Sequence, residues 1–239
     1  MSEAEKPISA YRTIEDVFTR KLKGGCRTIE GTLVSPADGT IANSLPVKEM
    51  QAFQAKGIEY QFEEFVYGKN KSVASERMIK PSWYHTVYLA PHNYHRVHSP
   101  VSGLLQKIRY IPGKLWPVNQ PFVKRVPNLF VSNERLVFEI LVNNKKVFVV
   151  MVGALNVGRI ETNFWPDFST NNRDRIKGNT SSKERALQAG KIIAAGDELG
   201  VFMLGSTVVT FFEEGLYEAS HFLEVADPRP ISMGQSLLR

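Results

Sequence analysis

Short apolar runs separated by turn residues dominate the sequence. The runs are at most eight residues long and rich in Val, Ile, Phe and Thr, which is typical of β-strands. Pro, Gly and Asn separate them, and Asn143-Asn144 between two runs indicates a hairpin. The predicted strands are Thr32–Val34, Thr40–Ala42, Thr86–Leu89, Leu104–Ile111, Leu136–Val142, Val147–Val152, Val157–Glu161 and Val208–Phe212.

Helical periodicity is confined to two segments. Residues 11–23 carry apolar side chains at helical spacing and end at Gly24-Gly25, and Phe62–Tyr67 gives a shorter helical pattern. The polar, basic residues 166–191 are predicted to form a long surface loop. We therefore expect a strand-dominated α+β fold, with a β-barrel or sandwich-like core, a few peripheral helices and one domain over residues 1–239.

One motif occurs twice. Ser35–Thr40 and Ser99–Leu104 both read Ser-Pro-x-x-Gly followed by the start of a predicted strand. Proline presets such a turn, and glycine allows a positive φ before the strand. Two interpretations remain open, a chance recurrence of a common turn or two equivalent turns that meet at one end of the β core and carry site residues.

Composition narrows the class of protein. Hydrophobic residues make up 43% and charged residues 23% of the chain, as in ordinary globular proteins. The single cysteine, Cys26, excludes an internal disulfide framework. The uncharged run Val147–Gly158 is shorter than the roughly 20 residues that span a bilayer. The polar start Met1–Lys6 does not read as a secretory signal, so we expect an intracellular protein, soluble or peripheral to a membrane.

Positive charge is concentrated in residues 77–133, which contain no Asp or Glu. A solvated face would explain this, and so would a positive surface for a phosphate-bearing substrate, an anionic lipid surface or nucleic acid. Nucleic acid has the least support because no recognition signature coincides with the bases. The eight bases are Arg77, Lys80, Arg96, Lys107, Arg109, Lys114, Lys124 and Arg125.

Two clusters carry candidate chemistry. Four of the five histidines, His85, His92, His95 and His98, fall within one short segment. Acid–base chemistry, a metal site or structural roles would each explain them, although no acidic residue lies nearby in sequence to complete a metal shell. The second cluster is Leu204–Thr207, where a glycine before Ser206 leaves the preceding carbonyl open to attack; alone, this pattern is usually only a turn.

Together, these motifs resemble the phosphatidylserine decarboxylase family. Tyr94–His98 matches the family's Tyr-His-Arg-x-His block, Ser35–Gly39 its Ser-Pro-x-Asp-Gly turn, and Leu204–Thr207 its self-processing motif. Each motif is weak alone, but they follow one another in the family's order over most of the chain. Further similar segments are Phe18–Lys23, Gln54–Tyr60, Asn133–Arg135, Val152–Ala154 and Gly158–Ile160.

The resemblance implies that the chain cleaves itself between Gly205 and Ser206. Asp38 and His98 would form a charge relay with Ser206, and the Ser206 hydroxyl would attack the Gly205 carbonyl. Ser206 would then become a pyruvoyl group, the implied cofactor, and no metal would be needed.

The implied products are a β chain, residues 1–205, and an α chain, residues 206–239, which remain together as a heterodimer. The pyruvoyl ketone would act as the electron sink for decarboxylation of phosphatidylserine to phosphatidylethanolamine. His95 would protonate the carbon that loses carbon dioxide. The resemblance leaves homo-oligomers open.

The implied partners are a phospholipid substrate and an anionic membrane surface, with the enzyme peripheral on the cytoplasmic face of the cell membrane, and no nucleic acid. Candidate lipid contacts are the bases Arg77, Lys107, Arg109 and Lys114 and the apolar residues Leu115, Trp116, Pro117 and Phe122, for which core packing is the alternative. Two other functions remain open: the same chemistry on a free amino acid or another amino lipid, and a non-catalytic β module that binds a membrane or a partner.

Overall fold

The computed structural model describes residues 2–55, 58–68, 79–155, 159–170, 181–203 and 206–239. Its helices are short: α1 (Ile14–Phe18), α2 (Phe62–Tyr67), α3 (Gln120–Val123) and α4 (Leu129–Ser132), with 3-10 turns at Ile8–Ala10 and Ala219–His221. Its strands are β1 (Gly39–Pro46), β2 (Gln51–Ala55), β3 (Ile58–Gln61), β4 (Pro81–Tyr88), β5 (Arg96–His98), β6 (Gly103–Ile111), β7 (Arg135–Val142), β8 (Lys145–Val152), β9 (Ile160–Glu161), β10 (Lys183–Ile193), β11 (Glu198–Phe202), β12 (Thr207–Glu213) and β13 (Arg229–Ile231).

An antiparallel sheet of eight strands forms the centre of the fold, in the order β10-β6-β7-β8-β12-β4-β1-β13. On one face, Phe62 of α2 packs its ring against Phe211 and Phe148, at centroid distances of 5.0 and 5.6 Å. On the other face, Trp83 stacks on Phe222 of the C-terminal segment at 4.8 Å. A second sheet, β5-β11-β9, covers that face as well. The predicted strand-dominated, sandwich-like fold is therefore confirmed.

Most predicted strands are present because their β-branched and aromatic side chains fill this core. The strongest runs became β6, β7, β8 and β12, whose residues are largely buried. The predicted hairpin joins β7 to β8, and Asn143 and Asn144 have φ values of 49° and 62°, as the turn between twisted strands requires. The helix prediction for Phe62–Tyr67 is also confirmed. Thr32–Val34 makes only an isolated bridge, Val34 to Ser236.

The helix predicted for residues 11–23 is shorter than expected. Helix α1 begins after a capping box formed by Thr13 and Asp16 and ends at Phe18. The chain then becomes extended, and Leu22 bridges to Ala4 in an antiparallel arrangement. Within the described ranges, no helix has the length and apolarity needed to cross a membrane.

The loop prediction for residues 166–191 is wrong in its second half. Residues 171–180 lie outside the described residues, but β10 (Lys183–Ile193) pairs with β6 as an edge strand of the main sheet. Its composition is polar because much of the strand is exposed. Glu184 makes ion pairs with Lys107 and Arg109 of β6, so contacts across strands stabilise a segment that lacks an apolar pattern.

The two Ser-Pro-x-x-Gly turns meet and bond to each other reciprocally. The Val34 amide donates to the Pro100 carbonyl at 2.9 Å, and the His98 amide donates to the Pro36 carbonyl at 2.8 Å. Val34 and His98 occupy the same position relative to the two motifs. The two turns are therefore equivalent and meet, as one of the two interpretations predicts. That they carry site residues stays a prediction.

This equivalence extends through the whole sheet. Read from either edge, the strand pairing is the same, β10-β6-β7-β8 on one side and β13-β1-β4-β12 on the other. Both halves have a register shift at the same place, between Ile41 and Asn43 and between Leu105 and Lys107. Matching contacts are Ser35 N to Gln235 O at 2.8 Å, Ser99 N to Asp197 O at 2.7 Å, and the pairs Gly39–Ile231 and Gly103–Ile193. The fold thus has internal two-fold pseudosymmetry.

A buried histidine breaks this symmetry and should make stability depend on pH. His85 lies opposite Thr210 and Ser44 in the sheet, and neither ring nitrogen has a partner among the described residues. Burial lowers the pKa of His85 from 6.5 to about 3. The unfolded chain therefore binds a proton that the folded chain does not, and the free energy of unfolding falls as pH decreases from about 6.5 to about 3, by about 1.4 kcal/mol per pH unit from this residue alone.

The variant His85→Phe tests this prediction, because Phe138 is the pseudosymmetric residue in β7. We expect urea unfolding at a series of pH values to show a shallower loss of stability below pH 6.5 than in the wild type. The exposed His221→Gln is the matched control and should retain the wild-type slope. An unchanged slope in His85→Phe would contradict the assignment.

Candidate functional site

The register of the main sheet places the first residues of β1 and β12 at the same end. Thr40 pairs with Tyr88, Tyr88 with Thr207, and Thr207 with Val152, so these four residues form one row across the sheet. Only β4 separates β1 from β12, so the starts of these strands are about 10 Å apart. Asp38 and Ser206 immediately precede them.

Ser206 is completely buried at the start of β12. Its carbonyl accepts a hydrogen bond from the Leu89 amide at 2.8 Å, which extends the pairing of β4 and β12 by one residue. Its hydroxyl donates to the carbonyl of Val152 at the end of β8. The backbone on both sides therefore holds this residue. Leu204 and Gly205, the other half of the predicted cleavage motif, lie outside the described residues.

Asp38 is fixed by the turn that precedes β1. Gly39 follows it directly, and a Cβ there would meet the Tyr88 carbonyl oxygen at 2.2 Å, so only glycine permits this close approach. The carboxylate of Asp38 accepts hydrogen bonds from Arg27 and from the Met233 amide. Asp38 and His98 share no hydrogen bond in this conformation, because the carboxylate is bonded to Arg27 and Met233 and both ring nitrogens of His98 have other partners.

His98 lies at the end of β5, against the Asp38 turn. Its Nδ1 donates to the Gly196 carbonyl at 2.7 Å, and this bond leaves Nε2 to accept from the Tyr94 hydroxyl at 2.9 Å. Burial lowers the pKa of His98, which keeps the ring neutral near pH 7. Nε2 of His98 is therefore the nitrogen that can take up a proton. In this structure it accepts a hydrogen bond from the Tyr94 hydroxyl.

Only one of the two ring nitrogens of His95 has a hydrogen-bond partner among the described residues. Its Nδ1 donates to the Asn93 carbonyl at 2.8 Å, whereas Nε2 is buried without a hydrogen-bond partner among the described residues. Burial lowers the pKa of His95 to about 4, so the ring is neutral near pH 7. A buried, unpartnered Nε2 is a proton acceptor that the fold does not use.

The segment after α1 holds the loop that carries His95. The Phe18 ring lies 4.8 Å from the His95 ring, and Arg20 donates to the carbonyls of His92 and Asn93, both at 3.1 Å. Because the Asn93 carbonyl also accepts from His95, Arg20 and His95 share one acceptor. The family-like segment Phe18–Lys23 therefore supports the loop that carries His95.

The described histidines do not converge on one point. His85 is in the core of the main sheet, His92 is exposed, and His95 and His98 are bound to backbone carbonyls. In the part of the chain that the structure describes, no three His, Cys, Asp or Glu side chains form a group able to hold a metal ion.

Several bases of the acid-free segment, residues 77–133, form ion pairs with acids from other parts of the chain. These ion pairs reduce the positive charge that the segment presents. Arg96 pairs with Glu198 at 2.7 Å, Lys80 with Glu214 at 2.8 Å, and Lys107 and Arg109 both with Glu184. Arg109 is also buried. The prediction of Arg109 as a lipid contact is therefore wrong, because its side chain is buried and paired with Glu184 of β10. Lys107 shares this counter-charge, and Arg77 lies outside the described residues.

Asn133 joins two loops at this end of the sheet. Its Nδ2 donates to the carbonyls of Trp116 and Gly153, at 2.9 and 2.8 Å, and its Oδ1 accepts from the Trp116 amide at 2.9 Å. Gly153 follows Val152, the residue that accepts the Ser206 hydroxyl. Trp116 and Leu155 are 38% and 56% exposed. Asn133 therefore ties the loop of the exposed Trp116 to the segment that follows Val152.

Two partners in the site were not among the candidates from sequence. Tyr94 is the first residue of the Tyr-His-Arg-x-His block, so the motif itself contained this signal. In an extended backbone, residues four apart such as Tyr94 and His98 lie on the same face. Arg27 stands in a polar turn with no pattern around it. Only the tertiary structure shows that it pairs with Asp38.

The fold and the site define a class: an antiparallel β-sandwich protein with a buried serine at a strand start and two neutral histidines and an aspartate at the same end. The sequence model of the family described as phosphatidylserine decarboxylase matches residues 14–239. The chain belongs to the phosphatidylserine decarboxylase family, a family of decarboxylating lyases.

Curated relatives cover most of the chain. A phosphatidylserine decarboxylase proenzyme of Erwinia tasmaniensis is 38% identical over 219 residues, which cover 90% of this chain and 72% of the relative. One of Pseudomonas fluorescens is 36% identical over 241 residues, 99% of this chain and 81% of the relative. One of Yersinia pestis is 38% identical over 219 residues, 90% of this chain and 73% of the relative.

Proposed function

We propose that this chain is a self-processing proenzyme that decarboxylates phosphatidylserine to phosphatidylethanolamine with a pyruvoyl group made from Ser206. The observation that carries the proposal is the buried Ser206 at the start of β12, at the same sheet end as Asp38 and beside the histidine loop. The names of the relatives, which are phosphatidylserine decarboxylase proenzymes, support both the substrate and a cleavage step.

Self-cleavage would begin at the Ser206 hydroxyl. His98 Nε2 is the base for its proton, once the Tyr94 hydroxyl leaves that nitrogen and Ser206 releases the Val152 carbonyl. A bond forms from Ser206 Oγ to the Gly205 carbonyl carbon, and the peptide C–N bond breaks, which gives an ester and a free amine. The negative charge of Asp38 stabilises the imidazolium of His98 during this step.

Elimination then completes the cleavage. Loss of the Ser206 α-proton breaks the Cβ–Oγ bond, so residues 1–205 end in a carboxylate and residue 206 becomes dehydroalanine. Its imine tautomer adds water and loses ammonia, which leaves the ketone of a pyruvoyl group. Two buried polar atoms without described partners suit this product: Thr207 Oγ1, on the next residue of the chain, and His95 Nε2 in the histidine block.

The pyruvoyl group, once formed, supplies an electron sink for loss of carbon dioxide from the substrate. His95 Nε2 would take the proton that the ammonium group of the substrate must lose and deliver it to the carbon that lost the carboxyl group. The Asn93 carbonyl fixes the ring tautomer so that Nε2 is the working atom, and Phe18 packs on the ring. A neutral resting His95 suits this role because it can first accept the proton that it later donates.

The surroundings of the site suit a phospholipid headgroup near a membrane surface. A polar cavity of about 550 Å³ lies beside Met203 at the end of β11, and its lining includes Thr19, Arg96 and Glu198. The exposed apolar side chains of Trp116 and Leu155 would enter the interface of an anionic bilayer. We therefore propose peripheral binding at the cytoplasmic face of the cell membrane, with the β and α chains held together by the shared sheet.

Intact-mass measurement of the freshly folded protein tests the processing. We expect two chains, residues 1–205 and residues 206–239, and loss of the free amine at position 206. Borohydride or a hydrazine should react with the second chain at its ketone. A folded chain that stays whole and does not react with these reagents would refute the pyruvoyl mechanism.

Carbon dioxide release tests the substrate. We expect release from phosphatidylserine in vesicles that contain anionic lipid, and none from free serine. Release from free serine alone would favour the same chemistry on a soluble amino acid, and a cleaved chain that releases carbon dioxide from neither would remove the proposed substrate.

A further inference from the structure

Arg27 uses every N–H group of its guanidinium. One edge faces Asp38, with Nε donating to Oδ1 at 2.9 Å and Nη2 donating to Oδ2. The other edge faces Glu3, with Nη1 and Nη2 donating to its two carboxylate oxygens at 2.9 and 3.0 Å. The remaining Nη1 hydrogen goes to the Cys26 carbonyl at 2.8 Å. All five donors of the group are thus engaged.

The pair of Arg27 and Asp38 is shielded from water. The two side chains are 13% and 11% exposed, so the contact is screened much less than a surface ion pair. Oδ1 of Asp38 also accepts from the Met233 amide at 2.8 Å, and two parallel bonds to a planar fork fix the plane of the carboxylate. Arg27 therefore fixes the orientation of the Asp38 carboxylate.

The pseudosymmetry of the fold shows which contact of Asp38 the turn itself requires, because the equivalent turn has a different residue at this position. The residue equivalent to Asp38 is Ser102, and the residue equivalent to Met233 is Ala195. The Ser102 hydroxyl accepts the Ala195 amide at 3.0 Å, as Asp38 accepts the Met233 amide. A neutral serine thus makes the same backbone contact in the other half of the fold. The negative charge of Asp38, and the arginine that binds it, go beyond what the turn requires.

We propose that Arg27 is a positioning residue for self-cleavage, which holds the Asp38 carboxylate in place while Glu3 holds the far edge of Arg27. This inference rests on the proposed function. Glu3 and Asp38 thus bind opposite edges of one guanidinium. Without Arg27, Asp38 would be a nearly buried carboxylate with one amide partner, the Met233 N–H, and its carboxylate plane would be free to rotate.

The rate of self-cleavage tests this role. Protein is refolded or translated in vitro, and the whole and cleaved chains are followed by intact mass. We expect Arg27→Gln to slow cleavage by roughly tenfold to a hundredfold, the scale of a misplaced reacting group. Arg27→Lys, which keeps the charge without the fork, should recover part of the rate, and Glu3→Gln should slow cleavage less than Arg27→Gln. The matched control is Lys80→Gln, which removes the exposed ion pair with Glu214 and should cleave at the wild-type rate.

Two further readouts distinguish positioning from a general structural role. The cleaved fraction of Arg27→Gln should decarboxylate phosphatidylserine with kcat and KM close to the wild-type values, because Asp38 acts in cleavage. Asp38→Ser, which retains the contact that Ser102 makes, should show a thermal unfolding midpoint close to the wild type and cleave more slowly than Arg27→Gln.

A wild-type cleavage rate in Arg27→Gln would overturn the inference while leaving the proposed function intact. Equal losses of cleavage and of kcat would also overturn it, since they would indicate a loosened fold. Should Arg27→Gln not fold, a wild-type rate in both Arg27→Lys and Glu3→Gln would have the same meaning. A wild-type chain that never cleaves would instead refute the proposed function, and this inference with it.

Discussion

Ser206→Ala should yield one uncut chain of 239 residues with no decarboxylase activity. Alanine lacks the oxygen that attacks the preceding carbonyl, and it also lacks the leaving oxygen from which the ketone arises. Loss of an essential nucleophile lowers turnover about a millionfold in serine enzymes, so we expect both cleavage and carbon dioxide release to fall below detection. Intact mass and carbon dioxide release from phosphatidylserine vesicles measure the two outcomes on one sample.

Thr210→Val provides the matched control for this experiment. Thr210 lies on the same strand as Ser206, is completely buried, and its hydroxyl has no hydrogen-bond partner among the described residues. Valine has nearly the same shape, so the loss of a buried hydroxyl at this position should affect neither cleavage nor activity. Cleavage at the normal rate in Ser206→Ala would show that another residue is the nucleophile and would exclude a pyruvoyl group at position 206.

The core strands were predictable because burial and local pattern agree in them. In β7, β8 and β12 the apolar runs lie in the middle of the sheet, where both faces are covered. In β10, by contrast, the exposed edge position allows charged residues, and the strand is specified by its partner β6. A local pattern cannot report a partner that is far away in sequence.

The candidate site shows the same division. Resemblance to a family singled out Asp38, His95, His98 and Ser206, and the pairing of β1, β4 and β12 explains why the first and last of them share one end of the sheet. The hydrogen-bond partners of these side chains are set by tertiary contacts. Arg27 binds Asp38, and the Gly196 carbonyl binds His98, through turns that have no sequence signal for such a role.

His95→Ala should separate the two reactions. The variant has the complete set of Asp38, His98 and Ser206, so we expect cleavage and ketone formation at close to the wild-type rate. Decarboxylation should fall by about a hundredfold to ten-thousandfold, the usual contribution of a positioned acid or base. The measurements are intact mass for cleavage, hydrazine labelling for the ketone, and carbon dioxide release per labelled site.

The control for His95→Ala is His92→Ala, in the same loop. The His92 side chain is exposed, and only its backbone carbonyl contacts Arg20, so this variant should keep both rates. Proton delivery by His95 requires its Nε2, which the structure leaves unpartnered while the Asn93 carbonyl holds Nδ1. Equal losses of cleavage and decarboxylation in His95→Ala would refute the division of roles, because the residue would then support the site as a whole. Normal decarboxylation by the variant would show that another group delivers the proton.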